Sequence, residues 1–197
     1  EYLANIYRIR KFFLDKYNVD IVIINGDQMP LHRNETCGQK TLNLLSEDTF
    51  VKENYMLSRE RMTLFTQGSS DGSILPSEYV MKGTGKILSK KIKPPENTYV
   101  QWAEKGSYRL EQMLGTISRL PNRFDVFNHK NFAIYVLDNY AVHLQEEIRK
   151  ALLERGYILV LIGGGVTGDI QINDTHHHGP LKAKYRKIEM DLMLEKL

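Results

Sequence analysis

The chain has 197 residues, enough for one domain with a substantial core. Lys and Arg total 27 against 24 Asp and Glu, a formal net charge of +3 that suits a polyanionic partner without demanding one. A hydrophobic content of 42% with 26% charged residues is ordinary for a globular protein, and no apolar run approaches the ~20 residues of a membrane span, so no membrane partner is expected. The single cysteine, Cys37, excludes an intramolecular disulfide framework and points to a reducing compartment, with the thiol itself read as small and half-buried.

The first element is an amphipathic helix, YLANIYRIRKFFLDKY, with Leu3, Ile6, Ile9, Phe12 and Phe13 assigned to its apolar side. It opens in mid-pattern on Glu1, with no signal peptide, so the chain is expected to be a fragment. Asn18 turns the chain into VDIVIIN, a nearly continuous apolar run suited to a strand covered on both faces. A hairpin follows: Met62, Leu64 and Thr66 alternate, Gly68 to Gly72 turns, and Ser77 to Lys82 returns. KKIKPPENTYV, with two prolines and clustered lysines, reads as a surface loop, whereas Leu110, Met113, Leu114 and Ile117 have helical spacing. Phe132 to Leu137 is a second apolar strand ending on Asp138, followed by a helix closed by Gly156, the strand YILVLI, a turn-rich stretch from Gly163 to Pro180 and a final helix. This order predicts a single α/β domain with a mixed sheet, antiparallel hairpin strands first and β-α-β crossovers after, with helices on both faces.

Two strands expected at the centre of that sheet each end on an aspartate, Asp27 and Asp138. Neighbouring strands would bring these carboxylates together, where they repel unless they share a cation. Magnesium or manganese meets that need, and a pair of such ions activates a nucleophile on one side of phosphorus while stabilising the leaving oxygen on the other. A third acid should then lie nearby, and both Asp169 and Asp174 follow the last strand at a suitable distance.

The order of motifs resembles the catalytic domain of pogo/Tigger-type DDE transposases of the Tc1/mariner superfamily. NGDQMP, residues 25–30, resembles that family's first-acid motif; SRERMTLFTQGSSDG, 58–72, resembles its following strand and Asp-Gly turn. DNYAVH, 138–143, resembles the second, and Thr167, Gln171, Asp174, Pro180 and Lys182 fall as in the third region, which selects Asp174 over Asp169. The resemblance implies an RNase H-like fold over 19–197 behind a leading helix at 1–18, with the family's N-terminal DNA-binding region outside this chain. It further implies Asp27, Asp138 and Asp174 as catalytic residues holding two Mg2+ or Mn2+ ions, DNA as substrate, and action in the nucleus as an endonuclease or strand transferase. Homodimerisation is left open. Departures occur at Gln28, where the family has Glu, at Ile172, and at Gly163 to Gly165. The change at residue 28 is expected to alter hydrogen bonding behind the acids rather than metal binding. These departures motivate an alternative, a domesticated and catalytically inactive nucleic-acid-binding protein; a weaker third option is a nuclease of RNA–DNA hybrids unrelated to transposition.

His143, Lys182, Lys184, Arg186 and Lys187 are candidate nucleic-acid contacts, as are Lys86, Lys90, Lys91 and Lys93. His176-His177-His178 is read as a polar loop rather than a zinc site, since adjacent residues point in alternating directions and no spaced partner accompanies them. GGGVTGD lacks the Gly-Lys-Ser/Thr ending of a phosphate loop. Trp102 and the tyrosines are expected in the core.

Overall fold

The computed structural model describes residues 2–32, 61–85, 93–125, 129–163 and 173–195. Among these the chain forms six strands and four α-helices: α1 (Tyr2–Tyr17), β1 (Val22–His32), β2 (Arg61–Ser69), β3 (Ser77–Lys82), β4 (Thr98–Ala103), α2 (Leu110–Arg119), β5 (Ala133–Asp138), α3 (Glu146–Glu154), β6 (Tyr157–Ile162) and α4 (Gly179–Leu194). Asn18, at φ +53°, ends α1 at the expected turn. Gly156, at φ +84°, closes α3; a Cβ there would also lie 2.6 Å from the carbonyl carbon of Arg123, so both backbone and space require glycine.

The strands form one mixed sheet in the order β4-β3-β2-β1-β5-β6. β1 pairs antiparallel with β2, and β2 with β3, while β1–β5, β5–β6 and β3–β4 are parallel. Three meandering strands followed by two parallel strands on the far side of β1 is the RNase H-like arrangement, with β4 added at one edge. β4 falls where the sequence suggested only a loop. It is a short, half-exposed edge strand, and the prolines and lysines before it mask its alternation.

Period-two alternation sends each strand's side chains to two cores. On one face α2 and α3 place Met113, Ile117, Ile148 and Leu152 against Ile24, Phe65, Tyr135 and Leu137. On the other, Phe13 of α1 packs with Ile134, Val136, Val160 and Ile162. Farther along that face, Tyr185 of α4 packs on Met29, Leu31 and Leu64. The inward stripe of α1 is Tyr2, Ile6, Ile9, Phe13 and Tyr17, while Leu3 and Phe12 stay 62% and 51% exposed. At 3.6 residues per turn those two residues stand about 80–100° to either side of the stripe, too far round to reach the sheet.

Tyr108, Tyr135 and Tyr157 are core residues, but Tyr7, Tyr99 and Tyr140 are exposed and Trp102 is half-buried. No helix among the described residues is long and apolar enough to cross a membrane.

Candidate active site

β1 does not stop at Asp27: its ladder with β2 continues to His32, and Asp27 pairs with Thr66 in mid-strand. The polar Asn25-Gly26-Asp27-Gln28 segment is held in strand geometry by that ladder, so the expected strand tip lies five residues farther on. What ends near Asp27 is the pairing with β5, whose last partners are Asn25 and Val136. Two residues beyond them along each strand stand Asp27 and Asp138. Adjacent strands lie about 4.8 Å apart, and the pleat assigns both residues to the face that α1 and α4 cover. Asp27 is 5% exposed, whereas the Asp138 side chain, at the end of β5, is 32% exposed.

Each acid is faced by an imidazole. His143 Nδ1 lies 2.7 Å from Asp138 Oδ1, and Gln28 Nε2 lies 3.1 Å from His143 Nε2. A carboxylate only accepts, so Nδ1–H donates to Asp138 and Nε2 accepts from the Gln28 amide, a consistent neutral tautomer. Gln28 also donates its backbone N–H to Asp27 Oδ1 at 2.7 Å, linking the two acids through one residue. A glutamate carboxylate at this position could not donate to Nε2. His143 lies in the turn before α3 rather than within it, and its side chain is fully buried. It therefore stands behind Asp138, enclosed where the sequence suggested a contact to nucleic acid.

The segment after β6 returns as a π-helical turn, Asn173–His178, running directly into α4. Here the histidine triplet divides. His176 and His177 are exposed, but His178 is buried, its Nε2 3.0 Å from Thr66 Oγ1 and its Nδ1 3.4 Å from Asp27 Oδ2. A π-helical turn, bonded from i to i+5, brings residues about five apart to one side, so Asn173 and His178 enter the sheet face while His176 and His177 leave it. Asn173 is buried as well and donates from Nδ2 to the backbone oxygens of Asn25 and Thr66 at 3.1 and 3.2 Å. Asp174 belongs to this turn; its side chain, Asp169 and the 164–172 segment with Thr167 and Gln171 lie outside the described residues. So do Cys37, residues 58–60 and the lysines at 86, 90 and 91.

Lys184 and Lys187 are exposed on α4, and Lys182 and Arg186 are half-buried. Their spacing puts Lys182 and Arg186 one turn apart on one side and Lys184 with Lys187 on another, so the basic group surrounds the helix instead of forming one stripe. Grooves of about 460 and 590 Å³ along α1 are lined by Phe12, Phe13, Phe132 and Leu153, and by Leu3, Ile6, Tyr7 and Leu14, away from Asp27 and Asp138.

No family model matches the chain. No curated protein sequence matches it either. Solved structures similar to it include a pre-cleavage Mos1 transpososome (11% identity, TM-score 0.49) and a Mos1 transposase paired-end complex with the left transposon end (13%, 0.49). A Mos1 mariner paired-end complex with Mn is similar to the same degree (11%, 0.48). These matches cover 92% of this chain but 47%, 46% and 47% of the solved chains, so the chain spans about half their length. Likeness at this level says nothing of chemistry, and the fold assignment stands on the chain's own strand order.

Among the described residues no cluster of three or more His, Cys, Asp or Glu is assembled for a metal. The donor chemistry at the sheet edge nevertheless fits a hard divalent cation. It offers carboxylate oxygens on the neighbouring strands β1 and β5, one of them open to solvent, with a third acid on a turn fastened to β1 and β2. Sequence reasoning missed Asn173, Thr66 and the separate role of His178. Their only local signal was polarity; what singles them out is the burial of Asn173 and His178 and the hydrogen bonds both make to Thr66.

Proposed function

We propose that this chain is a divalent-metal-dependent nuclease or strand transferase acting on DNA phosphodiesters, of the pogo/Tigger type within the Tc1/mariner superfamily and working in the nucleus. The observation that carries the reading is the placement of Asp27 and Asp138 at matching positions on β1 and β5, with the Asp174 turn fastened across β1 and β2. Asp27, Asp138 and Asp174 are the residues that would hold two Mg2+ or Mn2+ ions. Ions bound there supply Lewis acidity, lowering the pKa of an attacking water or 3′-hydroxyl and stabilising the leaving oxygen. His143 and Gln28 orient the carboxylate of Asp138 and tie it to Asp27, while basic side chains on α4 meet the DNA backbone.

The purified chain should convert supercoiled plasmid to the nicked form in Mg2+ or Mn2+, and Asp138→Asn should slow this at least ~100-fold. Equal nicking by both proteins would assign the activity to a contaminant and overturn the reading. One observation favours the alternative of an inactive nucleic-acid-binding protein: Asp27 is 5% exposed and faces His178, so a metal must displace or share that imidazole. That alternative predicts salt-sensitive DNA binding without cleavage at any Mg2+ or Mn2+ concentration.

A further inference from the structure

We propose that Asn173 is the positioning residue for the third carboxylate, its buried amide stapling the turn that carries Asp174 onto the strand pair that presents Asp27. The inference rests on the nuclease reading and assigns a task to a residue that reading leaves unused.

One amide nitrogen carries two hydrogens, and Asn173 directs Nδ2 at two carbonyls on different strands, Asn25 on β1 and Thr66 on β2. Thr66 is also the anchor for the other end of the turn, through the hydroxyl beside His178 Nε2. It is the residue directly opposite Asp27 in the β1–β2 ladder. The turn is thus fastened at its first and last residues over the Asp27–Thr66 pair. Consecutive Cα atoms are 3.8 Å apart, so fixing Asn173 fixes the backbone of Asp174 to within one residue of that anchor.

The choice of asparagine follows from the two acceptors. An aspartate carboxylate has no hydrogen to offer either carbonyl, and alanine removes both bonds. The arrangement also explains how a segment 35 residues beyond Asp138 returns to β1 without a strand of its own. Side-chain hydrogen bonds to the sheet backbone replace a ladder.

The test counts Mn2+ bound by the whole 197-residue chain from the paramagnetic resonance signal of the free ion, together with amide hydrogen exchange. Asn173→Ala and Asn173→Asp should each weaken Mn2+ binding about tenfold, the lower end for residues supporting metal ligands. Amides of residues 174–178 in the unaltered chain should exchange as slowly as those of β2. The proposal is overturned if both variants bind Mn2+ as the unaltered chain does while Asp27→Asn and Asp138→Asn lose it. It is overturned equally, with no variant needed, if the 174–178 amides exchange at exposed-loop rates. Unchanged Mn2+ binding in Asp27→Asn and Asp138→Asn would instead remove the nuclease reading itself, a result distinct from either of those.

Discussion

Gly26 stands between the two polar residues that lead β1 into the site, and its missing side chain is a packing requirement. A Cβ there would lie 2.7 Å from Phe65 Cζ, 3.1 Å from the Tyr135 hydroxyl and 3.2 Å from Leu137 Cδ2. Phe65 cannot move aside, because it is fully buried and stacks on Tyr108 with ring centroids 5.1 Å apart. Gly26→Ala should therefore cost about 1–3 kcal/mol in denaturant unfolding, as overpacked cores do. Gly68→Ala is the contrast. Its Cβ would meet only ordinary contacts at 3.7 and 3.9 Å, and its effect should stay within about 0.5 kcal/mol. Because Gly26 lies next to Asp27, strain from the first substitution should also shift the Asp27 carboxylate.

At the scale of elements, the sheet is tied to α2 by a charge pair that hydropathy patterns do not announce. Glu78 on β3 is fully buried and accepts from Arg119 Nη1 at 3.0 and 3.2 Å. Gln101 on β4 donates to the same carboxylate, and the Arg119 guanidinium lies 4.9 Å from the Tyr99 ring centroid. One acid thus joins β3, β4 and the end of α2. Among the described residues, removing the cation leaves the buried carboxylate with the Gln101 amide as its hydrogen-bond partner. Arg119→Met should cost about 2–4 kcal/mol by chemical denaturation, somewhat below a fully buried pair because Arg119 keeps 30% of its side chain exposed. Replacing Glu78 and Arg119 together with apolar residues should cost less than the single change, since no charge is then stranded.

Across the whole molecule, α4 leaves the Asp174 turn and carries the basic residues away from the acids. Tyr185 anchors it to Met29, Leu31 and Leu64, while Lys184 and Lys187 remain in solvent. If DNA runs along this helix toward the sheet edge, Lys184→Gln and Lys187→Gln should weaken binding to all sequences alike. Each should also lower the slope of log affinity against log salt by about 1, measured by fluorescence anisotropy over a salt series. Thermal stability should not change, as both side chains are exposed. A sequence-dependent loss would mean that these lysines read bases instead.

The sequence by itself determined the elements whose cause is local. β3 and β6 follow from alternation and apolar runs bounded by turns, α1 ends at Asn18, α3 ends at Gly156, and antiparallel strands give way to β-α-β crossovers as the alternation of elements predicts. That Asp27 and Asp138 belong to neighbouring strands was expected from the sequence, but the β1–β5 pairing joins segments separated by β2, β3, β4 and α2. Only the tertiary structure decided that β1 runs through Asp27, that β4 completes the edge, that α1 turns Leu3 and Phe12 outward, and that His143 is enclosed. The same holds for Asn173 and His178, whose partners Asn25, Asp27 and Thr66 lie more than a hundred residues away along the chain. Periodicity records which face a side chain belongs to. Which polar group waits on the opposite surface is set by how distant segments dock, and a buried amide or imidazole has no meaning until that partner is in place.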